Sequence, residues 1–205
     1  MKEHPVIKEK FHFQCTRCGN CCTGDQQVFL NLFDLYKMAR ALGFSHTRTL
    51  FERSVITLTR AQHDVYFPKI RFRTRPYKFC PFLHYEDISG ESLVTSCALH
   101  PDHKPLICHM APVGRVIDLE SEREEFVFVR PAPDCPGVES QHENTLDVWL
   151  KDLHRELEYQ KDFFRILNKI KNLNWNKQRT AKALYYFEVN TPFTGILNRL
   201  KKKYL

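Results

Sequence analysis

Apolar residues recur along this chain with two different periods. Near the start, Phe11-His12-Phe13 alternates as a short strand would, and Val28-Phe29-Leu30 predicts another. Leu32, Leu35, Tyr36, Met38, Ala39 and Leu42 then follow helical spacing, with Gly43 placed to stop the helix. Ser45 or Thr47 is positioned to cap a second short helix ending near Phe51. Alternation returns over 55–59 and 65–73, where Pro68 marks an edge or broken strand, because proline cannot donate to a ladder. Residues 113–119 and 125–130 read as a strand pair. Beyond them Leu146, Trp149, Leu150, Leu153, Leu157, Phe164, Leu167 and Ile170 form one stripe, which predicts a helix over about 145–173. Two shorter helices are expected over 176–188 and 192–203, the latter with Thr191 as N-cap and Pro192 at the first helical position. The period change predicts an α+β fold: a small irregular body of short strands and helices, with a C-terminal helical extension.

Between residues 76 and 112 the pattern dissolves into loop, with a turn expected at Ser89-Gly90. The chemistry concentrates in such irregular stretches. Cys15-Thr-Arg-Cys18-Gly-Asn-Cys21-Cys22 packs four thiols into eight residues. Gly19 stands where a loop wrapping one centre needs a positive φ. Downstream thiols come singly at Cys80, Cys97, Cys108 and Cys135, and two of them precede proline (Cys80-Pro81 and Cys135-Pro136). No apolar run is long enough to span a bilayer and the first residues hold no apolar leader core, so a cytoplasmic, reducing setting is expected. There, all eight cysteines are better explained as metal ligands than as a disulfide framework.

Two kinds of centre suit the spacing. A [4Fe–4S] cluster takes C-x2-C-x2-C and a distant Cys, often before Pro, which Cys15, Cys18, Cys21 and either Cys-Pro provide. Zinc or mononuclear iron is the alternative, but zinc sites usually pair two C-x2-C knuckles and no second knuckle occurs here. Neighbouring residues of an extended strand point opposite ways, so Cys22 is expected to serve a second centre or to be a core thiol. His84, His100, His103 and His109 are candidate ligands or hydrogen-bond donors to sulfur, with His100 and His109 nearest to cysteines in sequence. Asp25 and Asp134 also adjoin thiols, though turn formation accounts for them equally well.

The motif Phe13-Gln-Cys15-Thr-Arg-Cys18-Gly19-Asn-Cys21-Cys22, with Cys80-Pro81-Phe82-Leu83 and the stretch from Cys97 to Pro112, resembles the YkgJ-type cysteine-cluster family, a zinc- or iron-chelating CxxCxxCC domain. Asp34 inside the first helix and the Leu42-Gly43 ending fit the same pattern, and the likeness covers about residues 11–137. Departures lie at His100, Lys104 and His109, where the family has Tyr, Arg and Arg. The resemblance implies a metal centre. Bacterial flagellin lysine methylases are similar over the cysteine motif, which implies an iron–sulfur cluster, but no methyl-donor loop is recognisable here. The expected function is therefore a redox or macromolecule-modification enzyme or accessory factor, or else a zinc-binding interaction module without catalysis.

Charge adds a division. Of the net +7, residues 1–139 carry 18 Lys+Arg against 17 Asp+Glu, whereas 140–205 carry 13 against 7. That asymmetry predicts a cysteine-cluster domain (1–139) and a basic helical extension (140–205) packed on it. Its basic residues, spread over 151–203, could meet a macromolecular partner. Nucleic acid is not favoured, although Trp175 and Tyr185-Tyr186-Phe187 could stack on bases. Glycine-rich phosphate loops, nucleophile elbows and HExxH are absent from the sequence.

Overall fold

The computed structural model describes residues 4–60, 65–86 and 94–205. The expected Ser89-Gly90 turn lies outside them. The chain is α+β, built from short antiparallel pairs and helices rather than from one continuous sheet. It divides into two compact units that interleave along the sequence. The first comprises 1–26, 72–100 and 107–154; the second comprises 27–71, 101–106 and 155–205. The break expected at residue 139 is not where the chain divides. The C-terminal helices from residue 155 onward share a unit with residues 27–71.

In the first unit, β1 (Lys10–His12) pairs antiparallel with a strand late in the chain, Glu143–Thr145, in the register Phe11 opposite Asn144. The strands Leu83–Tyr85 and Thr95–Cys97 form a second pair, and Val113–Ile117 with Glu124–Phe128 a third. Helix α4 (Leu146–Leu150) presents Trp149, whose indole N–H donates to the Met110 carbonyl at 2.8 Å. The same ring meets Phe11 and Phe13 edge-on, at 5.4 and 6.1 Å between centroids. This aromatic knot anchors the strand that leads into the cysteine loop.

In the second unit, α1 (Leu32–Ala41) buries Leu32, Leu35, Met38 and Ala39, as its spacing predicts. Its N-terminus is closed by a capping box absent from the sequence reading: the Asn31 side chain accepts from the Phe33 and Asp34 N–H groups, and the Asp34 carboxylate accepts from Asn31 N–H. Gly43 ends the helix at φ +70°, with Gly43 N–H on the Arg40 carbonyl and Phe44 N–H on that of Ala39, a Schellman arrangement. Helix α2 (Arg48–Glu52) begins after Thr47, but the hydroxyl does not cap it. Fully buried, Thr47 donates to the Tyr185 carbonyl at 2.6 Å and accepts from Phe187 N–H at 2.9 Å. The strands Ile56–Arg60 and Tyr66–Ile70 pair with Leu58 opposite Pro68, and Val28–Leu30 contributes only a bridge, Phe29 to Lys69.

The predicted 145–173 helix is interrupted. After α4 the chain turns, and α5 (His154–Ile170) starts as the chain passes from the first unit to the second. The 176–188 helix is shorter than expected: α6 (Lys177–Thr180) runs into a π-turn at Ala181–Tyr185, and the chain then extends. Backbone pairing explains the stop, because Thr47 N–H donates to Phe187 and Val189 N–H to Ser45. Helix α7 (Phe193–Tyr204) starts one residue later than predicted, with Pro192 extended at the N-cap position.

Asp34 is buried and accepts from both Asn31 N–H and Leu106 N–H at 2.8 Å. Burial raises its carboxyl to about 6 from an ordinary 3.8, despite the opposing pull of Lys37 and the two N–H donors. Between those values the folded chain holds this proton more tightly than the unfolded chain, so its share of stability falls as pH rises from about 4 to 6, by roughly 3 kcal/mol in all. In Asp34→Asn that downward component is expected to vanish. Urea midpoints of both proteins across this window check the sign, since titrating groups that do not interact with Asp34 cancel in the difference.

Candidate metal centre

All eight cysteines belong to the first unit, and none is in a disulfide. The strand β1 delivers Phe13 into the core and hands the chain to the cysteine loop. Arg17 at φ +56° and Gly19 at φ +79° turn that loop sharply. Thr95 holds the bend from the neighbouring strand: its N–H and its hydroxyl both donate to the Arg17 carbonyl, at 2.9 and 2.7 Å. A Cβ on Gly19 would lie 2.9 Å from the Thr95 methyl, so the position demands glycine for space as well as for φ.

Asn20–Cys22 forms a 3-10 turn, with Cys22 N–H on the Gly19 carbonyl at 2.8 Å. The turn corrects the expectation that Cys21 and Cys22 point apart. In a 3-10 turn successive side chains do not alternate, and the two sulfurs sit 4.0 Å from each other.

Two hydrogen bonds bring the Cys135 loop to the front of the cysteine loop. Gln14 N–H donates to the Gly137 carbonyl at 3.1 Å, and the Asn20 side-chain amide donates to the Asp134 carbonyl at 3.0 Å. Cys80 is tied to the other end, its N–H donating to the Cys22 carbonyl at 2.7 Å, with Gly24 N–H on Lys78 beside it. Cys97 reaches Cys80 through the short ladder in which it faces Leu83, while Leu83 N–H donates to the Cys80 carbonyl at 3.1 Å. Cys108 lies on the helix Leu106–Met110.

The electrostatics follow this geometry. Cys135 is raised chiefly by burial, then by charge on Cys18, Cys21 and Cys15. Cys22 is pushed far up by its hydrogen bond with Cys21, by burial, and by charge on Cys21, Cys80 and Cys108. Burial, followed by charge on Cys97 and Cys21, brings Cys80 to about 11. Thiols crowded in this way resist ionisation together unless a cation joins them. Among the described residues, no three side chains of His, Cys, Asp and Glu converge as the ligands of a single ion would.

No protein-family signature matches this chain, and no curated protein or solved structure matches it significantly. The site therefore rests on its own residues.

The other candidates near the thiols have ordinary structural roles or none that is visible. Asp25 pairs with Lys78 at 2.6 Å in solvent. Asp134 contributes its backbone carbonyl. His84 is exposed on the strand opposite Ser96, and His100 is fastened by its backbone N–H to the Cys97 carbonyl at 2.9 Å. His109 follows Cys108 on its helix, whereas His103 belongs to the second unit. Sequence reading missed the Tyr77–Tyr85 pair, two exposed phenols hydrogen-bonded to each other. Their mutual bond, followed by desolvation, pushes Tyr85 up to about 12. Two exposed tyrosines eight residues apart carry no periodic signal, so only the fold joins them. In the second unit a cavity of about 670 Å³ is lined by Tyr36, Arg40 and Asn190 among others, with no cysteine in its wall.

The basic residues of the C-terminal segment are partly spent on internal pairs. Asp162 takes Lys201 at 2.7 Å and Arg165 at 3.5 Å, and Arg179 lies over the Trp175 ring. Tyr185 and Phe187 are buried, which removes them as base-stacking surfaces. Among the described residues no helix is long and apolar enough to cross a membrane.

Proposed function

We propose that this chain is an iron–sulfur protein of the YkgJ cysteine-cluster type, in which Cys15, Cys18, Cys21 and Cys135 hold a [4Fe–4S] cluster. The supporting observation is the pair of links, Gln14 to Gly137 and Asn20 to Asp134, that sets Cys135 beside the C-x2-C-x2-C loop. The donor set fits the group: four thiols from a tight loop and a distant Cys-Pro are what such a cluster takes. When bound, the cluster would supply electron exchange or an iron site for a substrate. The residues of the chain supply the thiolates, the turn at Gly19 that aims them, and the aromatic knot at Trp149 that fixes the incoming strand. The activity is assigned to redox chemistry or macromolecule modification, as enzyme or accessory factor. A cytoplasmic setting is proposed with it, since none of the eight cysteines is in a disulfide and thiols persist reduced in such a compartment. The partner surface is assigned to the exposed basic residues between 151 and 203, for a protein rather than a nucleic acid.

Anaerobic purification tests the reading. A brown protein with visible charge-transfer absorption and acid-labile sulfide is expected; a colourless protein holding zinc and no sulfide overturns it. Stripping the metal should also separate the two units. The second has its own core around Leu35, Met38, Leu50, Ile166 and Leu184, each at most 1% exposed. The first also has an apolar core, around Phe11, Phe13, Met110 and Val127, but its cysteine-bearing loops would be joined to one another through the metal. Chelator treatment is therefore expected to abolish hydrogen-exchange protection around residues 13–22, 80–86, 94–99 and 132–138 while α1 and α5 stay protected. Uniform loss, or none, would contradict this division of labour.

A further inference from the structure

We infer that the eight cysteines form two all-thiolate centres, with Cys22, Cys80, Cys97 and Cys108 holding a second iron–sulfur cluster beside the one assigned to Cys15, Cys18, Cys21 and Cys135. This inference rests on the iron–sulfur reading above. Its geometry is independent of the motif. Cys135 is attached to the front of the loop, through Gln14 and Asn20, whereas Cys80 is attached to its end, through the Cys22 carbonyl at 2.7 Å. Cys97 follows Cys80 because Leu83, three residues on from Cys80, faces Cys97 across the two-stranded ladder. A further backbone bond, Ala98 N–H to the Phe82 carbonyl at 2.9 Å, locks the same register. Cys108, on the helix Leu106–Met110 and in the same unit, is the one cysteine left over and is assigned to this set as its fourth thiolate.

One tetrahedral arrangement has no place for eight thiolates, and four is the complement of each cubane cluster. The junction between the two sets is the Cys21–Cys22 pair. In two-cluster ferredoxins one cysteine of a C-x2-C-x2-C-x3-C run is handed to the other cluster, and Cys22 would be handed over in the same way here. Here the 3-10 turn places the two sulfurs side by side, 4.0 Å apart, so the centres would be direct neighbours.

The test compares the unaltered chain with two double variants, C15S/C18S and C97S/C108S, each purified and reconstituted anaerobically with iron and sulfide. Iron and acid-labile sulfide per chain are measured, with electron paramagnetic resonance of the reduced proteins. About eight irons and eight sulfides are expected in the unaltered chain, and about four of each in either variant. The reduced unaltered chain is expected to show the broadened signal of two interacting clusters, which sharpens in both variants. Four irons in the unaltered chain, unchanged in C97S/C108S, would overturn the second centre and leave the first reading intact. Loss of all iron from both folded variants would indicate one shared centre and overturn the inference equally. Absence of sulfide from the unaltered chain would remove both readings. If a variant does not fold, the stoichiometry and signal of the unaltered chain decide.

Discussion

Replacing Gly137 by alanine is expected to reduce iron content sharply and to destabilise the first unit by about 3 kcal/mol. The reason is space and not backbone freedom. A Cβ at this position would overlap the Gln14 carbonyl oxygen and lie 3.0 Å from the Phe13 ring. The obstructing atom is backbone, so no rotamer change relieves it. Either the 135–137 segment retreats or the strand leading to Cys15 does, and each movement breaks the Gln14–Gly137 hydrogen bond, itself worth about 1 kcal/mol. Both also draw Cys135 away from Cys15. Gly114→Ala is the control. Its Cβ would crowd only the side chains of Val129 and Val127 in a hairpin that carries no cysteine, so stability should fall with less loss of iron. Thermal melts and iron analysis of the two variants check this; equal iron loss in both would mean that Gly137 has no special bearing on the centre.

Lys37→Met should cost about 3–5 kcal/mol, the largest effect expected in the second unit. Lys37 projects from α1 into a site where its side chain is only 7% exposed. There it donates to Glu156 at 2.6 Å and to the Lys104 carbonyl at 2.8 Å. Methionine matches its length but strands the Glu156 carboxylate, itself 15% exposed, without a counter-charge. The penalty comes from the orphaned partner more than from the lost attraction, so the double variant Lys37→Met/Glu156→Leu should recover most of the loss. Asp34 would respond as well, because Lys37 now holds its carboxyl lower than burial alone would. The downward stability slope should therefore extend to higher pH in Lys37→Met. Denaturant titrations of the single and double variants measure both effects.

What could be seen in the sequence was local. The stripe of α1, its stop at Gly43 and the positive φ at Gly19 follow from residue types and spacing, and the structure has them. Interruptions escaped notice wherever a distant segment overrides a local pattern. The stripe from Leu146 to Ile170 continues through the break after Leu150, because the same apolar residues serve two different units there. Thr47 looks like a cap, yet its hydroxyl is claimed by backbone groups 138 and 140 residues away. The thiols themselves were plain to read. Their grouping was not, since Cys-Pro occurs at both Cys80 and Cys135, and only the strand register and loop bonds place one with Cys22 and the other beside Cys15. A charge count also cannot detect that residues 27–71 and 155–205 share one compact unit.

The interleaving has a consequence for biogenesis. During translation Cys15, Cys18 and Cys21 leave the ribosome some 120 residues ahead of Cys135. Lys37 likewise waits for Glu156, 119 positions later. Neither unit can close until most of the polypeptide exists, so long-range loop closure dominates the search. Nascent chains must then carry these sulfhydryls unprotected for much of synthesis, and under the iron–sulfur proposal inorganic loading would be a late event that seals an almost finished molecule.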